Sequence, residues 1–204
     1  MISRLVNRSR QFWIAVFGPH SEVPSNALLT CLKPAQLILF RKLQPSEQVH
    51  AYKVFKSLEA AGQTDQDLLV AALLHDVGKT LYPLSIFDQV IFILGNQLFQ
   101  GKVQRWSEGP AYGLHLPFVV AVHHPEWGAD LASQAGSTPR SVELIRFHHE
   151  KALASLRSPF GIQLAALQTA TDQGGGLFER AFRSSLSGNS TTAAPPPKKK
   201  KKKV

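Results

Sequence analysis

Seven apolar residues, Leu68 to Leu74, run without interruption into His75 and Asp76, and the stretch LLVAALLHDVGKT closes on Gly78, Lys79 and Thr80. An apolar run with no polar face fits only an element buried on all sides. Its flanks select a helix. Thr64 and Asp67 have capping-box-like spacing ahead of it, and Gly78 stands where a helix C-terminus is expected. Ending such a helix on an imidazole and a carboxylate is costly, because a buried charge needs a partner or a metal. The stretch therefore predicts a central helix that carries a polar site into the core.

Helical periodicity continues through most of the chain. SEQVHAYKVFKSLEAAG, after Pro45, places Val49, Tyr52, Val54, Phe55 and Leu58 at helical spacing and stops at Gly62, and His50 lies one turn before Val54. Pro125 marks a break or a helix start, with EWGADLASQAG a short helix after it. Thr138-Pro139 and Ser158-Pro159 each read as a cap followed by a first-turn proline. The run from Ser85 to Phe99 is broken by Asp88 and Asn96 and is too short to span a bilayer, so a buried helix is expected. With no alternating strand pattern and no fixed-period repeat, the fold class is all-α, a helical bundle. The expected organisation is an N-terminal helical extension over 1–33, a main domain over 34–175 with an insert at about 85–106, and a low-complexity tail over 176–204.

The 204 residues are 44% hydrophobic, enough for one sizeable core. Of the net charge of +9, six units are Lys198 to Lys203, so the basic character belongs mainly to a tail. That tail reads as disordered and solvated, with a polybasic address or a nucleic-acid arm as the alternative. Without a helix-turn-helix signature or aromatics within the basic run, nucleic acid is disfavoured as a partner. FWIAVFG near the N-terminus fits an amphipathic helix over the core, or an anchor at a membrane surface. No transmembrane segment is expected, and the lone Cys31 favours a reducing, cytoplasmic setting.

Other ligand-type side chains fall at comparable places. His50 lies on an inward stripe, His124 opens HPEWGADLA, His148 and His149 end a third helix, and Asp172 ends a fourth. Imidazole and carboxylate together suit Mn, Fe, Ni, Co or Zn as divalent ions, with Mg also compatible, and the lack of Cys ligands argues against structural zinc or iron-sulfur. His149 has a site role or packs beside Val142 and Ile145. Lys79 either meets phosphate charge or is an exposed lysine favoured by the helix dipole. His123 reads as structural, and His115 and His20 as surface residues in loops. Trp127 and Trp106 read as packing residues.

This ordered set resembles the HD-domain metal-dependent phosphohydrolase superfamily, over roughly Leu37 to Asp172. The resemblance rests on His50, the HDVGK of His75 to Lys79, and Asp172 in LQTATD. It implies that His50, His75, Asp76 and Asp172 hold one metal, that Asp76 bridges to a second ion, and that His124 and His148 bind that second ion. The implied reaction is hydrolysis of a phosphoester or phosphoanhydride, with a nucleotide as the expected substrate, by a metal-activated water, using one or two ions. Asp76 and Lys79 are the catalytic candidates. The alternative is a non-catalytic HD-type nucleotide-binding or regulatory module.

Two departures narrow the substrate. HHEKALASLRSPFG lacks the Gly-Tyr-Pro signature of the branch that hydrolyses cyclic dinucleotides. The chain is also similar to bacterial HD hydrolases of diadenosine polyphosphates, where a single His precedes a Thr, yet here His149 follows His148. About 48 residues separate Asp76 from His124, which implies an inserted element around Ser85 to Trp106. The physiological substrate and the oligomeric state are not set by these patterns.

Overall fold

The computed structural model of the chain describes residues 23–99 and 102–174. The expected N-terminal amphipathic helix, His20 and the lysine tail lie outside them. Ten α-helices follow in order, with no strand among the described residues: α1 Ser25–Cys31, α2 Pro34–Arg41, α3 Pro45–Ala60, α4 Gln66–Leu74, α5 Ile86–Leu98, α6 Val103–Ser107, α7 Leu116–Gln134, α8 Pro139–Arg146, α9 Lys151–Ala154 and α10 Pro159–Gly174. Short 3₁₀ turns cover Val77–Leu81 and Gly113–His115.

The apolar run forms the central helix α4. Its N-cap is Asp65, whose carboxylate accepts from the Leu68 amide at 2.9 Å, rather than the Thr64 and Asp67 pairing that spacing suggested. Asp67 instead accepts from the Thr138 and Ser141 hydroxyls at the start of α8. Leu68, Leu73 and Leu74 are fully buried, each contributing about 2 kcal/mol by removal from water. Helix α3 packs on α4 and on α10, and α8 closes the other side. The core joins Phe40, Val54, Leu58, Leu144, Ile145, Leu164 and Leu167 to this helix. The proline-led starts behave as expected: Thr138 caps α8 by accepting from Ser141 N, and the Ser158 hydroxyl accepts from Gly161 N at the start of α10.

Three further expectations are corrected. Pro125 does not start a helix; it lies inside α7, which continues from Leu116 to Gln134. Gly78 does not end α4, which stops at Leu74, and sits instead within the 3₁₀ turn Val77–Leu81. Helix α5 is not buried. Only one side of it packs, through Phe92 against Phe118 and Trp106, while Phe87 is 81% exposed and Leu98 71%. The insert is thus the helix pair α5 and α6 laid against α7. No single described helix is long and apolar enough to cross a membrane.

Candidate metal centre

Asp76 is the hub of the polar cluster. It follows the C-cap residue of α4, where the chain turns into the 3₁₀ segment, and its side chain is almost fully buried. Its two oxygens face different neighbours. Oδ2 lies 3.5 Å from His75 Nε2, 4.0 Å from His50 Nε2 and 2.8 Å from Lys79 Nζ. Oδ1 lies 3.3 Å from His124 Nε2. Burial pushes the carboxyl up, but Lys79, His75 and His124 together outweigh it and hold it well below the usual carboxylate range.

The approach between the Asp76 turn and α7 is made by glycines. A Cβ on Gly78 would fall 2.0 Å from the His124 carbonyl oxygen and 2.7 Å from Gly128 N. Backbone therefore lies on backbone at this crossing, and a bare Cα at residue 78 lets Asp76 reach His124. Arg146 braces the far side, ion-pairing Glu126 and, at 3.1 Å, Asp130, which fastens α8 to α7.

Four imidazoles share one orientation. His75 Nδ1 meets the Ala72 carbonyl at 2.9 Å, His148 Nδ1 the Ile145 carbonyl at 2.7 Å, and His50 Nδ1 the Gly174 carbonyl at 3.0 Å. His124 Nδ1 is 2.9 Å from both the Val120 and Ala121 carbonyls. A carbonyl only accepts, so each Nδ1 must carry a proton, and in the neutral ring that leaves the lone pair on Nε2. Those lone pairs turn into the cluster, the arrangement a metal-binding histidine needs. His148 Nε2 is buried with no hydrogen-bond partner, and burial, reinforced by His75 and His124, holds this imidazole well below its ordinary pKa.

Two groups of donors result. His50, His75 and Asp76 offer ligand atoms within 4.8 Å of one another, as do His124, His148 and His149. Either group could hold a metal ion, and the nitrogen and oxygen donors fit a divalent transition metal. The groups adjoin, since the His75 and His148 rings are 5.2 Å apart and His124 and His148 5.3 Å. His149 reaches His124 with Nε2 at 3.4 Å. His50, with 14% of its side chain exposed, and the half-buried His149 form the open edge.

Asp172 is not in either group: it lies on the last turn of α10 and is exposed, although Gly174, two residues on, supplies the carbonyl that holds His50. Lys79 is buried beside Asp76 and not exposed at a helix end. His123 stacks on Trp127 at 5.8 Å, away from the donors, and Trp106 packs on Phe118. His115 is half-buried rather than on the surface, its ring set against Gly109. Glu47 went unrecognised in the sequence. It lies one turn before His50 on α3, and burial raises its pKa while Lys79 opposes the rise, which puts its charge in reach of the cluster. The only signal was that one-turn spacing to His50.

A model of the HD domain family matches residues 48–181, well over half of the chain. No curated protein and no solved structure gives a significant match.

Proposed function

This chain belongs to the HD domain family, and from that premise we propose that it is a divalent-metal-dependent phosphohydrolase of the cytoplasm that cleaves a phosphoester or phosphoanhydride of a nucleotide. The observation that carries the reading is Asp76 presenting Oδ2 to His50 and His75 and Oδ1 to His124. A carboxylate so placed suits bridging of two ions. In this proposal His50, His75 and Asp76 hold the first ion, and His124, His148 and His149 the second. Asp172 joins the first set by the family pattern, which requires its side chain to turn inward from the exposed position.

When bound, such ions lower the pKa of a coordinated water and neutralise phosphate charge. The protein's own part is to fix and dry the site. The carbonyl-anchored imidazoles need no reorganisation to ligate, and the apolar α4 beneath them excludes water from the donors. Lys79 compensates Asp76, and on substrate binding its ammonium is placed to follow negative charge developing on phosphate oxygens. Phosphorylated substrate enters past His50 and His149, the least buried of the histidine ligands.

One observation favours a second reading, a non-catalytic nucleotide-binding or regulatory module: Lys79 already balances Asp76 within the buried cluster. A single comparison separates the two. Protein purified without chelator is assayed for bound metal and for turnover of a nucleotide panel, beside Asp76→Asn. The enzyme reading expects bound transition metal and turnover that falls at least ~10³-fold in the variant. Nucleotide binding with no turnover in either protein supports the module, and absence of metal even after addition of Mn²⁺ rules out both ions.

A further inference from the structure

The anchoring carbonyls have two origins. Ala72 and Ile145 lie in the last turns of α4 and α8, and Gly174 is the final residue of α10. A helix's last four carbonyls have no amide partner within the helix, so a nearby imidazole N–H finds them open. His124 has no helix end beside it. It sits in the middle of α7, ten residues before Gln134, where carbonyls are ordinarily taken by the amide four residues on.

For the Ala121 carbonyl that residue is Pro125, which has no N–H to donate. We propose that Pro125 is a positioning residue: by leaving the Ala121 carbonyl open inside a continuous helix, it lets His124 Nδ1–H dock there and aims Nε2 at Asp76 Oδ1, His148 and His149. An interior proline is a costly device for a helix otherwise well formed, and its position directly after His124 matches this single use. Nδ1 lies equally near the Val120 carbonyl, 2.9 Å away, but the amide four residues on from Val120 is that of His124 itself, so Ala121 is the acceptor the proline leaves open to fix the tautomer and ring orientation of His124. The geometry stands on the chain's own atoms, while its purpose rests on the metal-site reading given above.

The test uses the full chain carrying Pro125→Ala, which restores an N–H to compete for the Ala121 carbonyl, with Pro125→Ser as a second replacement of the same kind. Long-range ¹H–¹⁵N spectra of the metal-free protein at mildly alkaline pH read the His124 tautomer, and a Co²⁺ titration reads the two ion affinities. Expected are a Tm equal to or above that of the wild type, a shift of His124 from pure Nδ1–H to a mixture of tautomers, and a 10–100-fold weaker second ion with the first little changed. A merely structural proline would lower Tm and leave the tautomer alone, and that result overturns the proposal. So does an unchanged His124 spectrum in either variant. Should the wild type bind no Co²⁺, the metal-site reading fails, and the tautomer comparison still decides the role of Pro125.

Discussion

The Lys79 ammonium lies 2.8 Å from Asp76 Oδ2, three residues along the same backbone, with both side chains buried. Removing one partner of such a pair leaves an uncompensated buried charge, at a cost of about 3–5 kcal/mol. Lys79→Met is therefore expected to lose about that much stability in the presence of chelator. Mn²⁺ is expected to return more stability to the variant than to the wild type, because a cation beside Asp76 takes over the role of Lys79. Urea unfolding with EDTA and with Mn²⁺ measures both effects, and equal Mn²⁺ gains in the two proteins would place the ion elsewhere.

At Gly78 the crossing with α7 has no room for a methyl group, since the added Cβ would meet the His124 carbonyl at 2.0 Å. Neither backbone is free to yield, so Gly78→Ala is expected to destabilise by about 3 kcal/mol or more. Gly62 makes the control. It has φ +77° with nothing within 4 Å of an added Cβ, so Gly62→Ala is expected to cost only the left-handed strain, about 1–2 kcal/mol. Chemical denaturation of both variants checks the order, and a Gly78→Ala protein as stable as Gly62→Ala contradicts the crossing described.

Stability of the metal-free protein is expected to fall on acidification in two stages. His148 is held well below its ordinary 6.5, so on lowering the pH through that value the unfolded chain takes up a proton that the folded chain refuses. The unfolded state then binds more protons, and stability drops by up to about 1.4 kcal/mol per pH unit from this site, with no contribution above 6.5. Asp76, depressed below 3.8, adds a stabilisation that is full above that pH and lost as pH falls through the folded value. Urea midpoints between about pH 8 and pH 3 trace both limbs, and His148→Gln should flatten the upper one. A rise in stability between pH 7 and pH 5.5 would be the wrong sign for a neutral buried imidazole.

Within the insert, burial separates two kinds of apolar residue. Phe92 is fully enclosed with Phe118, Val103 and Trp106, so Phe92→Ala is expected to cost about 3–5 kcal/mol. Leu98, largely exposed on the same helix, should tolerate Leu98→Gln within about 0.5 kcal/mol. Thermal melts of the pair would show whether α5 is seated as described.

The central helix, the caps at Thr138 and Ser158, and the gathering of His50, His75, Asp76, His124 and His148 were all legible in the sequence. The helix and the caps follow from local rules, an unbroken apolar run and a hydroxyl before proline, while the ligand set came from the ordered resemblance to the HD family, His50 and His124 lying inside α3 and α7. Features set by tertiary contact were not. Pro125 reads as a break because propensity counts its missing N–H as a loss, whereas here an imidazole N–H approaches the carbonyl it leaves. Asp65 caps α4 because Asp67 is drawn to Thr138 and Ser141, 71 and 74 residues away. Gly78 looks like a chain terminus signal until α7 is laid across it, and the one-sided burial of α5 depends on which neighbours the fold supplies.

The glycine crossing sets a gauge for the whole cluster. Because main chain rests directly on main chain at Gly78, His124 and Gly128, the approach of the Asp76 turn to His124 is set by backbone van der Waals contact and not by intervening side chains. Aliphatic side chains elsewhere in the core could be exchanged while this one approach stayed the same. At this crossing the most constrained position is the one with no side chain at all.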